Sequence, residues 1–301
     1  MRAKIVFYFI RLFGRLPMPV LQRFGGGLGW LFYLFPNRER CNARITIDIC
    51  FPEWDEKQKR ALLKQSLIEG GKTLFEMPLF WVRQPEEWLD YIEIGEGYEV
   101  LQAALAEDRG LIIAGPHMGN WELTVQYMAT LTNMTAIYRP PKMPELAELA
   151  REGRSRTGAN MVPATPKGVK ELLKALKSGG ALGILCDQQP KAAGEQGAVF
   201  APFFGRPALS MVLINRIARK TNAKVIFSYT ERLSKPGHFK VHWREGSKQL
   251  LDADPVVAAT AMNEILETCI RDCPEQYIWS YKRFHIQPEG MPSPYRKYNT
   301  G

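Results

Sequence analysis

Leu111-Ile112-Ile113-Ala114-Gly115-Pro116-His117-Met118-Gly119-Asn120-Trp121-Glu122 reads as a buried strand, a loop and the first turn of a helix. The apolar run Leu111–Ala114 suits a strand covered on both faces. Gly115–Gly119 reads as the loop, and Asn120 as the N-cap of a helix that runs through Leu123, Thr124, Val125 and Met128. Glu122 then lies in the first helical turn, where the helix dipole favours its ionised form. A histidine titrates near neutral pH and can take a proton from an alcohol, while a carboxylate on its other ring nitrogen fixes the tautomer. His117 and Glu122 are therefore the candidate catalytic pair of an enzyme that activates a hydroxyl. Spacing alone is weak evidence, since a His-x4-acid match arises by chance about 0.4 times in a chain of this composition. Context separates His117 from His238, His242 and His285, none of which has an acid at the fifth position or follows a short apolar strand that opens into a helix.

Outward from this unit, strands and helices alternate. Strands are expected near Ile92–Ile94, Thr135–Tyr138, Met161–Val162, Ala181–Cys186, Lys224–Tyr229 and Phe239–Trp243. Helices are expected over Tyr98–Glu107, Trp121–Leu131, Pro144–Arg151, Pro166–Lys177 with Thr165 as N-cap, Leu209–Lys220 and Pro255–Cys273. Asp55-Glu56-Lys57-Gln58 has the form of a capping box opening a long helix with Leu62, Leu63, Leu67 and Leu74 on its apolar stripe. The pattern predicts an α/β fold, an open, mixed, largely parallel sheet flanked by helices. Ligands in such sheets sit at the carboxyl ends of the strands. His117, Arg139 and Asp187 each follow a predicted strand end, which gathers them at one edge. Ala192–Gly205, rich in Gly and Ala, reads as a mobile loop ending in an aromatic latch, Phe203-Phe204-Gly205.

The 301 residues are 46% hydrophobic and carry a net charge of +9. Six cations, Arg2, Lys4, Arg11, Arg15, Arg23 and Arg38, precede the first acid, Glu39. Together with the apolar runs Ile5–Ile10 and Leu28–Phe35, they mark residues 1–36 as an N-terminal, membrane-associated helical segment and 37–301 as the catalytic domain. Pro17, Pro19, Gln22 and Arg23 interrupt the apolar stretch, so a shallow or re-entrant anchor is expected rather than a crossing of about 20 apolar residues. No cleavable signal is evident. Five cysteines without paired spacing indicate neither a disulfide framework nor a zinc site. The sequence lacks Gly-x-Ser-x-Gly, His-Glu-x-x-His and complete phosphate or dinucleotide loops, and no metal or cofactor is expected.

Beyond the His-x4-acid box, the chain carries Phe51-Pro52-Glu53, Tyr138-Arg139-Pro140, Arg154-Ser155-Arg156-Thr157-Gly158, Asp187-Gln188-Gln189, Phe203-Phe204-Gly205 and Gln276-Tyr277-Ile278-Trp279-Ser280-Tyr281-Lys282-Arg283-Phe284. In these boxes, and nearly end to end, it resembles the late acyltransferases of lipid A biosynthesis, the lauroyl and myristoyl transferases of the glycerolphosphate and lysophospholipid acyltransferase superfamily. Where many members have Asp-Gln-Asp, this chain has Asp187-Gln188-Gln189. The resemblance implies transfer of a fatty acyl chain from acyl carrier protein, or from acyl-CoA, to a hydroxyl of a phosphorylated glucosamine lipid at the cytoplasmic face of the inner membrane, with no nucleic acid partner. It assigns Arg139 and Arg156, with Arg154, to the acceptor's phosphate or acid-sugar groups. Asp187 and Arg283 complete the expected substrate-binding set. Acylation of another glycolipid or a glycerophospholipid stays open, as does a basic membrane-peripheral binding protein without activity.

Overall fold

The computed structural model describes residues 8, 10–107, 109–138, 144–163, 165–190 and 197–295. Its main sheet has the strand order β1-β9-β8-β2-β5-β3-β4. The strands are β1 (Ile92–Ile94), β2 (Leu111–Gly115), β3 (Met134–Tyr138), β4 (Asn160–Pro163), β5 (Ala181–Leu185), β8 (Lys224–Arg232) and β9 (Phe239–Glu245). All neighbours pair parallel except β8 and β9, which are antiparallel. That exception follows from the short connection between them, because a parallel partner needs a crossover of a dozen residues or more.

Strand β2 is buried from end to end. Its alternate residues face opposite ways, so Ile112 and Ala114 join one core while Leu111 and Ile113 join the other. Helices α4 (Tyr98–Ala106) and α5 (Trp121–Leu131) cover the second face through Leu101, Ala104, Met128 and Ala129. Helices α7 (Pro166–Lys177), α8 (Leu213–Thr221) and α9 (Pro255–Asp272) cover the first through Leu172, Ile214 and Leu266. The expected caps are present: Asn120 accepts from Leu123 N–H at 3.0 Å and Thr165 from Gly168 N–H at 3.2 Å. Helix α6 (Pro144–Ser155) runs on past the expected Arg151.

Before the sheet come α1 (Met18–Leu34), α2 (Arg38–Cys50) and α3 (Glu56–Val82). The expected capping box opens α3, with Asp55 and Gln58 exchanging bonds of 2.8 and 2.9 Å. Helix α1 lies so close to α3 that a Cβ at Gly25 would fall 2.4 Å from the Gly71 carbonyl oxygen, and one at Gly29 2.1 Å from that of Leu67. Glycine permits this approach because no side chain stands between the two backbones. Met18 and Leu21 enter a core with Leu79, Phe80, Leu123 and Phe239. Phe24 and Trp30 on α1, and Phe35 just past its end, stay exposed. Among the described residues no helix is long and apolar enough to cross a membrane.

Two local expectations are corrected. Residues 198–211, expected as loop and helix start, form a two-stranded hairpin, β6 (Ala198–Phe203) and β7 (Arg206–Met211), and α8 begins only at Leu213. Its turn uses Phe204 and Gly205, both at positive φ. Packing holds Phe204 in that conformation: its N–H donates to Glu267, and Arg271 stacks 4.7 Å over its ring. Residues 191–196 of the expected mobile loop lie outside the described residues. Leu74, expected on the apolar stripe of α3, is exposed, because the inner face there carries buried Glu69, Thr73 and Glu76 instead.

Candidate active site

Strands β2 and β5 run parallel with Gly115 opposite Leu185. His117 and Asp187 each lie two residues beyond that pair, so the register itself sets them side by side at the carboxyl edge. His117 Nδ1 lies 2.6 Å from Asp187 Oδ1, and the His117 backbone N–H donates to Oδ2 at 3.0 Å. An ionised carboxylate can only accept, so Nδ1 carries the proton and Nε2 keeps its lone pair. The side chain amide of Gln188 lies 3.3 Å from Nε2, and the Trp121 ring stands edge-on at 5.4 Å. The His117 side chain is 17% exposed and that of Asp187 is wholly buried. Burial opposes a charge on Asp187, but the His117 ring and its N–H groups outweigh it, with Arg283 adding to them, and hold the carboxyl below its usual range.

The loop between His117 and α5 is fixed on every side. Gly119 has φ +53°, and a Cβ there would fall 1.7 Å from the Thr230 carbonyl oxygen. Its N–H donates to Gln276 O, the Asn120 N–H to Thr230 O, and Ile278 N–H to His117 O.

Among the described residues, the carboxylate on the His117 ring is Asp187 and not the expected Glu122. Glu122 is buried in the first turn of α5, where Arg154 grips it with two bonds of 2.7 Å. Trp81 Nε1 adds a bond at 2.9 Å and Gln126 Nε2 one at 3.2 Å. Burial again opposes the charge, and Arg154 with these donors overcomes it, lowering the Glu122 pKa. The expected substrate-binding residues are scattered by comparison. Arg154 pairs with Glu122, and Arg156 donates to the Trp81 carbonyl at 2.6 Å. Arg283, expected on substrate, is fully buried beneath the hairpin, where it donates to Leu209 O and Ser210 Oγ. Arg139 lies outside the described residues.

A base whose outer ring nitrogen meets only an exchangeable amide, with a buried carboxylate behind it and a helix start beside it, can activate a hydroxyl for attack on a carbonyl. Residues 2–286 match the family described as bacterial lipid A biosynthesis acyltransferase. The chain belongs to that family. It is thus an O-acyltransferase by kinship as well as by resemblance. The acyltransferase is 29% identical over 286 residues to the lipid A biosynthesis lauroyltransferase of Escherichia coli (strain K12), covering 93% of this chain and 90% of that protein. It is 27% identical over 291 residues to the palmitoleoyltransferase of the same organism, covering 94% and 91%, and 24% identical over 278 residues to its myristoyltransferase, covering 92% and 82%.

Sequence reasoning singled out Asp187 as a charge ending an apolar strand but missed that it serves His117. The signal was available in the equal two-residue overhangs, once β2 and β5 are taken as neighbours. Trp81 and Gln126, which help hold Glu122, gave no signal, because each reads as an ordinary helix residue.

Proposed function

We propose that this acyltransferase moves a fatty acyl chain from a carrier-protein or CoA thioester to a hydroxyl of a phosphorylated glucosamine lipid, a lipid A precursor, at the cytoplasmic face of the inner membrane. The observation that carries the reading is the His117–Asp187 pair, which leaves Nε2 as the base. The acceptor hydroxyl displaces the Gln188 amide from Nε2, gives its proton to that nitrogen and attacks the thioester carbonyl. Asp187 stabilises the imidazolium that forms. The carbonyl oxygen gathers negative charge beside the start of α5, where the helix dipole and first-turn N–H groups favour it. As the tetrahedral intermediate collapses, the carbon–sulfur bond breaks and the imidazolium returns the proton to the departing thiolate. No acyl-enzyme forms. Glu122 acts here through Arg154, as the ion pair that fixes the first turn of α5 next to the base.

The exposed Phe24 and Trp30 of α1 and Phe35 at its end, with the chain's +9 charge, support seating on an anionic membrane surface. The roles of its relatives in lipid A biosynthesis support a lipid A acceptor.

Mass spectrometry of the lipids formed from thioester donors and a phosphorylated glucosamine lipid tests the reading. Wild-type protein should add one acyl mass, and His117→Ala and Asp187→Asn should each lower the rate on the order of 10²–10⁴-fold. Near-normal turnover by purified His117→Ala would remove the base from the scheme, and no product with any donor would remove the reaction.

A further inference from the structure

A second buried charged cluster lies beneath the His117 loop. Arg232, at the end of β8, donates to Glu69 Oε2 at 2.6 Å, to Thr73 Oγ1 at 2.8 Å and to both oxygens of Glu76 at 2.6 and 2.5 Å. Arg232 is 5% exposed, Glu69 6% and Glu76 not at all. The two acids differ in what else they hold. Glu69 receives Gln65 and Lys72 from its own helix. Glu76 receives Gln22 Nε2 from α1 and Asn120 Nδ2 from the catalytic loop, each at 2.9 Å. One turn earlier on α3, Thr73 Oγ1 donates to the Gly119 carbonyl at 2.8 Å.

We propose that Glu76 is a positioning residue for His117, acting through Asn120; the proposal rests on His117 being the base. Four donors converge on its two oxygens: two from Arg232, one from Gln22 and one from Asn120. Only a carboxylate can accept them all, since each oxygen takes two donors and an amide of the same shape sets its own N–H groups against two of them. Asn120 divides its side chain between this site and the helix, its Nδ2 on Glu76 and its Oδ1 capping α5. The three residues back to His117 have little freedom, given the Gly119 conformation and the backbone bonds to Gln276, Thr230 and Ile278. A displaced Asn120 therefore carries the imidazole with it, away from the line of attack.

The test uses Glu76→Gln, Asn120→Asp, the double variant and Glu69→Gln, with steady-state kinetics and the ¹⁵N shifts of the His117 ring. Glu76→Gln should lower kcat about 10–100-fold with KM little changed, the pattern of a misplaced reacting group, and should shift the ring resonances. Asn120→Asp alone sets two carboxylates against each other and should also lose kcat. In the double variant the amide at 76 donates to the carboxylate at 120, which still caps α5, so kcat should recover at least about fivefold over either single change, as coupled neighbours do. Glu69→Gln, which weakens the same cluster without touching the loop, should lose stability but keep kcat within about threefold. A double variant no better than its parents, or equal kcat losses in Glu69→Gln and Glu76→Gln, would overturn the proposal. If wild type forms no acyl product, the reaction scheme fails, and the ring resonances decide alone: a displacement in Glu76→Gln that the double variant reverses supports positioning, and unchanged resonances refute it.

Discussion

Asp187 and Glu122 are both buried, yet each is held ionised by a different partner, the first by His117 and the second by Arg154. A carboxyl whose pKa is lower folded than unfolded stabilises the protein above its unfolded value, and that contribution is lost as pH falls through the folded one. The ordinary values are 3.8 for Asp and 4.5 for Glu. Unfolding followed by denaturant should therefore show stability level with respect to these groups above about pH 4.5 and falling as the pH drops below it, with the acid limb shallower in Asp187→Asn and in Glu122→Gln. Glu122→Gln also breaks the ion pair at its buried end and should cost on the order of 3 kcal/mol at neutral pH. A cost below about 1 kcal/mol would mark the pair as a surface-type bridge. Single residues were only half legible in the sequence. His117 stood out because strand, loop and helix surround it within a few positions. Its partner did not, because the choice between Glu122, five residues away, and Asp187, seventy away, depends on which strands lie side by side. The burial of Arg283 was not legible for a similar reason, since its cationic, aromatic surroundings suit a headgroup as well as a core.

Helix α3 shows where pattern reading fails at the scale of an element. Its inner face runs Leu62, Ser66, Glu69, Thr73, Glu76 and Phe80, a regular helical spacing occupied mid-way by polar residues. A hydrophobic stripe therefore predicts its first two turns and then goes astray at Leu74. The β6–β7 hairpin was hidden in the same way, its turn built on Phe204, a residue that enters the left-handed region only because Glu267 and Arg271 hold it there. The α1–α3 contact gives a sharper expectation. Gly25→Leu and Gly29→Leu press a side chain into backbone and should destabilise by about 1–3 kcal/mol or separate the helices. Gly27 has no atom within 4 Å of a built Cβ, so Gly27→Ala should stabilise by about 0.5–1 kcal/mol through helix propensity. Thermal midpoints of the three variants check the pair of predictions, and equal midpoints would contradict the close crossing.

At the scale of the whole molecule the sequence was most informative, because alternating strand and helix patterns with short connections leave few arrangements for a parallel sheet. The reversed β8–β9 pair was less legible, although the short connection between them already excludes a crossover. If α1 rests on the membrane, replacing Phe24, Trp30 and Phe35 together by Ser should weaken binding to anionic vesicles while leaving the fold intact, as read by cosedimentation and circular dichroism; undiminished binding would place the contact elsewhere. Helix α1 also supplies Met18 and Leu21 to the core and Gln22 to Glu76. A protein engineer who starts the chain at Asn37 to obtain a more tractable enzyme therefore removes more than a surface appendage. That shortened chain bares Leu79, Phe80 and Phe239 and withdraws one donor from the acid under the His117 loop, so the exposed aromatic face of α1 and the support beneath that loop are inherited, varied and lost together.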